Sequence, residues 1–384
     1  MSNTFAAIVP AAFEAAQMVS RELAPAVSSV RTNFRSKIAV GDSLTIPVAP
    51  KRVTSTYVPA MTTTTGADTV DAGVIFNLNN NLFDDWHLTG EQILKLQNAG
   101  MYEEWQSQML VQGMRTLVNA MELTTLAAIK AGASRAFGTA GTTPFATGLT
   151  ELNAGLKILR DNGAYMGDVS LVCDTNAGLN VRNLTQLQKV SEAGGADLLR
   201  QGIIGNLFGV MVKESAGVVQ HTKGTGAAYV TNAVTPIGGG TLGNATNPNI
   251  PMITGSGTAL PGDVVTFAAD ANNKYIINSG LAAPGNLSLG RPGARISIPS
   301  ANAMTIGNNY MPNVLFDRSA VMLMARAPEI PHNSNITQTV IGDPLTGLSF
   351  LLCEVWGDGM LTWRVHAAFG AVANNPEQIA ILMG

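Results

Sequence analysis

The side chains with the greatest chemical reach in this chain are four histidines, two cysteines and two adjacent acidic pairs. His87, His221, His332 and His366 are scattered, with no His-x-x-x-His pair and no cysteine close by. None of the common zinc-site signatures, such as His-x-x-x-His or Cys-x-x-Cys, is present, so no metal site is expected. Cys173 and Cys353 lie far apart in apolar runs. They read as buried free thiols rather than a disulfide. Asp84-Asp85 and Glu103-Glu104 are neighbours in sequence, which suits helix-start charge and a solvated face better than acid/base work. Carboxylates distant in sequence remain free to meet in the fold. The glycine clusters at 202–209 and 238–243 lack the Lys-Ser/Thr of a phosphate loop, and Gly255-Ser256-Gly257 is not a nucleophile elbow. No catalytic, cofactor-binding or metal-binding residue is assigned, and the chain reads as a non-enzyme.

The elements that would position any site are organised around 101–131. Tyr102, Trp105, Met109, Gly113, Leu117 and Met121 recur every three or four residues, widened by Leu110, Met114 and Val118 and prolonged by Leu126 and Ile129. That is a helical period with a broad apolar face. It predicts one helix of roughly 46 Å at 1.5 Å per residue, stopped at Gly132. Gly113 inside it predicts a bend or a close contact, since glycine there costs roughly 0.5–1 kcal/mol relative to alanine.

Only 13% of the 384 residues are charged, while 46% are hydrophobic. The charged share is about half the usual one. Large buried surfaces and extensive self-association follow, because a lone monomer normally carries more surface charge. The net charge is −3, with no Lys/Arg cluster, so there is no electrostatic footprint for tight nucleic-acid binding. No signal peptide and no membrane span of ~20 apolar residues is apparent. An intracellular, soluble protein is expected.

Along the chain, Pro10 opens a short amphipathic helix to about Leu23. The FRSKIAVGDSLTIPVAP segment alternates as a strand around a Gly41-Asp42 turn. VIFNLNNNLFDDWHL reads as strand, Asn-rich turn, strand. Together they predict a β-loop that goes out and returns, which needs a surface to lie on. Thr89 and Gln92 fit a capping box. LTELNAGLKILRDNG is an amphipathic helix stopped at Gly163, DVSLVCD is a strand, and Asn176–Lys189 reads as one helix. Glycines 202, 205 and 209 suggest a tight turn feeding a strand at 210–212. The stretch 224–311 has no helical period and predicts a β-rich module, with GDVVTFAADANNKYIIN and ARISIPS as strands. The apolar C-terminal segment must return to the core.

That last segment carries the most specific pattern. Arg364, Gly370 and Pro376-Glu377 are spaced by six, Ile379 follows, and NVLFDRSA begins at 313. This resembles the C-terminal core of tailed-bacteriophage major capsid (coat) proteins, above all those of short-tailed phages with an insertion domain. The arm helix, GDSLTIPV, FNLNNNLF, LLRQGIIGNLFGVMVKES and PGDVVTFAAD agree with the family in order. The resemblance implies an α+β fold shared with herpesvirus capsid floors and encapsulins: a spine helix plus mixed β-sheets and a small all-β insertion. It implies an N-terminal arm (1–33), an extension loop (34–88), a peripheral domain (89–165) with spine helix 101–131 and an axial domain (166–223). An insertion domain (224–311) and a return through the core (312–384) complete the order.

The function so implied is a viral structural protein that self-assembles as hexamers and pentamers into an icosahedral capsid enclosing double-stranded DNA. The alternative is an encapsulin-type cellular compartment shell. Implied partners are other copies of the chain, a separate scaffolding protein, a portal protein at one vertex, weakly contacted DNA and a possible decoration protein. No membrane is among them. The implied location is the virion, after assembly in host cytoplasm.

Overall fold

A computed structural model describes residues 24–33, 39–48, 72–188, 205–232, 249–296, 298–331, 335–342 and 348–384. The arm helix expected from Pro10, loop residues 49–71, Gly202, His332 and the glycine cluster at 238–243 lie outside them. The fold is α+β, and the chain forms two compact units.

The first unit uses the described parts of Met1–Leu44, Phe76–Ala127 and Met322–Val372. Its six-stranded sheet runs Arg31–Asn33, Val321–Arg326, Met360–Ala373, Ser349–Trp356, Ile336–Gly342, with Asn80–Thr89 also on Met360–Ala373. Asn80–Thr89 therefore joins this sheet; the two-stranded loop pairs Ser43–Val48 with Ala72–Asn77. The expected long helix is Tyr102–Ala131, thirty residues. Its buried face steps through Tyr102, Gln106, Leu110, Met114, Leu117, Val118, Met121, Glu122, Thr125, Leu126 and Ile129. Trp105 and Met109, expected in the stripe, are only half-buried at its flank. Three polar residues occupy the buried face instead.

Two of the polar exceptions have clear reasons. The Glu122 carboxylate accepts from the backbone N–H of Ala26 (3.0 Å) and of Val27 (3.0 Å). It thereby satisfies the first turn of the short helix Pro25–Ser29, whose donors have no partners within the helix. Thr125 turns its hydroxyl back to the Met121 carbonyl at 2.8 Å. The helix Gly90–Asn98 begins as expected: Gln92 N–H donates to Thr89 Oγ1, and Thr89 N–H donates to Gln92 Oε1. Gly113 is a close contact, since a Cβ there would lie 3.0 Å from Trp86 Cζ3.

The second unit uses the described parts of Thr45–Ile75, Ala128–Val321 and Ala373–Gly384. Val169–Cys173, Pro312–Asp317 and Ile379–Met383 lie side by side in a twelve-stranded sheet and are buried throughout. Strands covered on both faces read as continuous apolar runs, which is why DVSLVCD was legible. The helix Thr150–Asp161 packs Leu152, Leu156 and Leu159 inward. It ends at Gly163, whose φ of 70° is the left-handed stop expected there. The helix expected over 176–189 is instead Thr175–Asn183 followed by Thr185–Gln188. The break is Leu184, which turns extended (ψ 117°).

Between 227 and 306 the described residues form strands and no helix. They close a core of Tyr229, Phe267, Tyr275 and Leu287 among others. Asp270–Ser279 pairs with Arg135–Gly138, so these strands continue the twelve-stranded sheet. The described residues of ARISIPS, 294–296 and 298–300, form bends, turn and a single bridge at Ile298 rather than the strand its alternation suggests, and Ser297 lies outside the description. It is flanked by Pro292 and includes Pro299, neither of which can donate to a ladder. Arg295 N–H goes to the Tyr275 hydroxyl instead (2.9 Å).

Candidate functional site

Residues that might have done chemistry are held in structural pairs. His221 Nε2 lies 2.8 Å from Asp263 Oδ1, and the His221 ring is 5.3 Å from that of Tyr310. Asp263 also accepts from Gly224 N–H (3.1 Å) and Leu260 N–H (2.8 Å). Tyr310 donates to the Gly262 carbonyl (2.6 Å), and burial followed by the Asp263 charge pushes its phenol pKa up. Among the described residues the partners of this pair are backbone groups and the Tyr310 ring. The pair closes loops that are far apart in sequence.

His366 lies against Phe83, ring centroids 5.4 Å apart. Burial, then the Arg364 charge, moves its pKa down. Arg364 Nε is 3.3 Å from Asp85 Oδ2. Asp84 sits over Gly113, with Oδ2 3.3 Å from where a Cβ would be. Burial first, and then Asp85, raises its pKa. Glu103 and Glu104 are exposed at the start of the long helix, and Gln108 donates to Glu104 at 3.3 Å. Glu103 and Glu104 are helix-start surface charge as expected, whereas Asp84 and Asp85 lie in the strand Asn80–Thr89, Asp84 half-buried and Asp85 paired with Arg364.

Both cysteines are free and buried. Burial, with the Glu214 and Asp174 charges behind it, pushes the Cys173 thiol up to about 12. A thiol held protonated is no nucleophile. Among the described residues no group of three or more His, Cys, Asp or Glu is placed to hold a metal ion, and no helix is long and apolar enough to cross a membrane.

The C-terminal motif has a packing explanation at each position. Arg364 pairs across strands with Asp85. Gly370 passes so close to Asn77 that a Cβ would lie 2.7 Å from its carbonyl oxygen. Pro376 is buried in a tight turn ahead of Ile379, which pairs with Phe316 of NVLFDRSA. The spacing thus records where one continuous chain crosses two sheets.

Several large apolar side chains face outward. In the first unit Phe83, Val340 and Trp356 are more than half exposed, as are Tyr165, Leu179, Phe208 and Val219 in the second. Phe208 stands at φ 52° with Gly209 at 81°, the two-residue turn between Asn206–Leu207 and Val210–Glu214. A bulky residue with positive φ is uncommon, and here it lifts an aromatic ring into solvent. Sequence reasoning found the glycine of this turn but not the exposed ring, which only the turn geometry reveals.

No protein-family model and no curated protein matches the sequence. Among solved structures the chain is similar to one from Mycobacterium phage Che8, at 12% identity and TM-score 0.48, covering 89% of this chain and 84% of that one. It is similar to the capsid of cyanophage P-SCSP1u at 14% identity and TM-score 0.46, over 93% and 86% of the two chains. A virus-like particle from Pyrococcus furiosus matches at 10% identity and TM-score 0.43, over 96% of each chain.

Proposed function

We propose that this chain is the major capsid protein of a tailed phage, a shell subunit that works by association rather than by reaction. The observation that carries the reading is a combination within one chain. A thirty-residue helix, a separate two-stranded loop and large exposed apolar side chains coexist with side-chain chemistry committed to packing. A two-stranded ribbon alone is marginal in water, and exposed aromatic anchors are what interfaces use. The low charge, 13% of residues, fits surfaces meant to be covered. The Arg364–Gly370–Pro376 spacing supports the same family.

On this reading the copies form hexamers and pentamers on an icosahedral shell. Their contacts are heterologous, and closure comes from ring and shell geometry. Residues 34–88 reach a neighbouring copy, and the β-rich residues 224–311 stand as an insertion on the outer surface. A separate scaffolding protein sets curvature, a portal protein occupies one vertex, and a decoration protein is a possible further partner. A net charge of −3 without basic clusters suits a lumen that must not grip packaged DNA. The product is a virion assembled in host cytoplasm.

The test is expression alone and together with the neighbouring scaffold gene, with particles imaged and their contents analysed. Uniform shells that need the scaffold and package DNA support the reading. Isolated monomers or twofold dimers under all conditions would sink it. Uniform shells formed without scaffold and loaded with protein cargo would favour the encapsulin-type compartment instead.

A further inference from the structure

Beneath the first turns of the long helix, the six-stranded sheet carries Glu354, Trp363 and Trp86, each with one buried polar atom that has no hydrogen-bond partner among the described residues. Thr337, Glu354, Trp363 and Trp86 are register neighbours on four successive strands. Directly paired residues point to the same face. Tyr102 of the helix packs on Trp363, ring centroids 6.5 Å apart, so this face lies against the helix. Glu354 is 3% exposed, Trp363 1%, Gln106 4% and Trp86 7%. Glu354 Oε1, Gln106 Nε2, Trp363 Nε1 and Trp86 Nε1 each lack a hydrogen-bond partner among the described residues. A buried polar group left unmade costs roughly 1–3 kcal/mol, more if charged.

Glu354 is the member that can change charge. Its register partners Thr337 and Trp363 are neutral. Arg364 is next along the strand, so it points to the opposite face, where it pairs with Asp85. From the helix, the titratable group facing Glu354 is Tyr102, whose pKa is raised by burial and then by the Glu354 charge. No cation is recorded against Glu354 among the described residues, and burial alone raises its pKa. An ionised carboxylate in such a place is disfavoured.

We propose that Glu354 is a charge switch in the attachment of the long helix to the sheet. As the neutral acid it is accommodated beneath Tyr102 and Gln106. As the carboxylate it loosens residues 102–110 from the strands. The linkage has a definite sign. The folded pKa lies above the unfolded one, so the stabilising contribution is complete below the unfolded value of about 4.3. It is lost as pH rises through the folded value. Within that window, each pH unit raises the opening constant up to about tenfold, the linkage slope of one proton. The device needs nothing from a neighbouring copy, so it stands or falls separately from the shell reading.

Two measurements on the unassembled full-length chain test it. The first is hydrogen exchange of the 102–110 amides across pH, corrected for intrinsic rates, in the wild type and in Glu354→Gln. The wild type is expected to open more as pH rises, and the variant to show a flat profile with greater protection at high pH. The second is infrared titration of the wild type, which should keep one carboxyl protonated above the ordinary glutamate value. That signal should vanish in Glu354→Gln. The same pH profile in both proteins, or no such protonated carboxyl in the wild type, would overturn the proposal. If the variant does not fold, the infrared titration of the wild type decides alone.

Discussion

Two buried carboxylates, one in each unit, have opposite surroundings. Asp263 is 1% exposed and accepts from an imidazole and two backbone N–H groups. Glu354 is 3% exposed, and its Oε1 accepts from nothing described. The first is a finished polar knot that joins loops around residues 221, 224, 260 and 310. The second sits in a helix-on-sheet layer where Gln106 Nε2, Trp86 Nε1 and Trp363 Nε1 also lack partners among the described residues. The difference shows where this chain spends its polar groups. Loop-rich β structure is fixed by a satisfied network, because loops bring too little apolar area to hold themselves. The helix–sheet layer is fixed by apolar area, and it tolerates an unfinished polar group that a change of charge can exploit.

The comparison breaks if removing the finished knot costs little. Asp263→Ala leaves His221 and two buried N–H groups without their acceptor, and should destabilise the second unit by about 3–5 kcal/mol. Chemical denaturation followed by a probe in that unit would read this. A loss below 1 kcal/mol would mean that the network is ornamental. A third buried carboxylate, Glu122, stands between the two extremes, with two backbone donors. Glu122→Ala should cost about 1.5–3 kcal/mol, the range for hydrogen bonds to a charged group. The loss should appear locally, as faster proteolysis and exchange of residues 24–33, while residues 349–356 remain protected.

What the sequence revealed follows the same division. The capping box at Thr89 and the stop at Gly163 are local signals, and both were readable. The long helix was readable because its period repeats over thirty residues. Its polar guests were not, because Glu122 and Gln106 look like ordinary flank residues until the partners arrive from elsewhere in the chain. Asp263 and His221 are 42 residues apart and match no motif. Glu354 is hidden in SFLLCEVW, where a strand covered on both faces loses its alternation. ARISIPS is the converse case: alternation is present, but Pro299 within it has no N–H to give a ladder, and its described residues hold only a bridge at Ile298.

The apolar side of the comparison is sharpened at Gly113. Gly113→Ala gains up to about 1 kcal/mol of helix propensity. It also sets a Cβ 3.0 Å from the Trp86 ring and 3.3 Å from Asp84. The ring is buried and has little room to yield, and overpacking costs about 1–3 kcal/mol. The net expectation is a destabilisation of about 1 kcal/mol, larger for Gly113→Val, with a change in tryptophan emission. A more stable Gly113→Ala protein would show that the helix–sheet layer is looser than its packing implies.

The smallest effect is expected where a carboxylate is paired but wet. Asp161 contacts Lys157 at 3.0 Å and Arg135 at 3.5 Å, and its side chain is a quarter exposed. Burial works to raise its pKa, but the Lys157 hydrogen bond and charge, then those of Arg295 and Arg135, leave it below the ordinary value. A depressed folded pKa contributes stability above the unfolded value, about 3.9. That contribution is lost as pH falls through the folded one. Near neutral pH, Asp161→Asn should therefore cost less than about 1 kcal/mol, because solvent screens the pair. Below about pH 4 the variant and the wild type should converge. Thermal melts at pH 7 and pH 3 give the two numbers. An equal deficit at both would show that Asp161 acts through its shape, by orienting buried Arg135, and not through its charge.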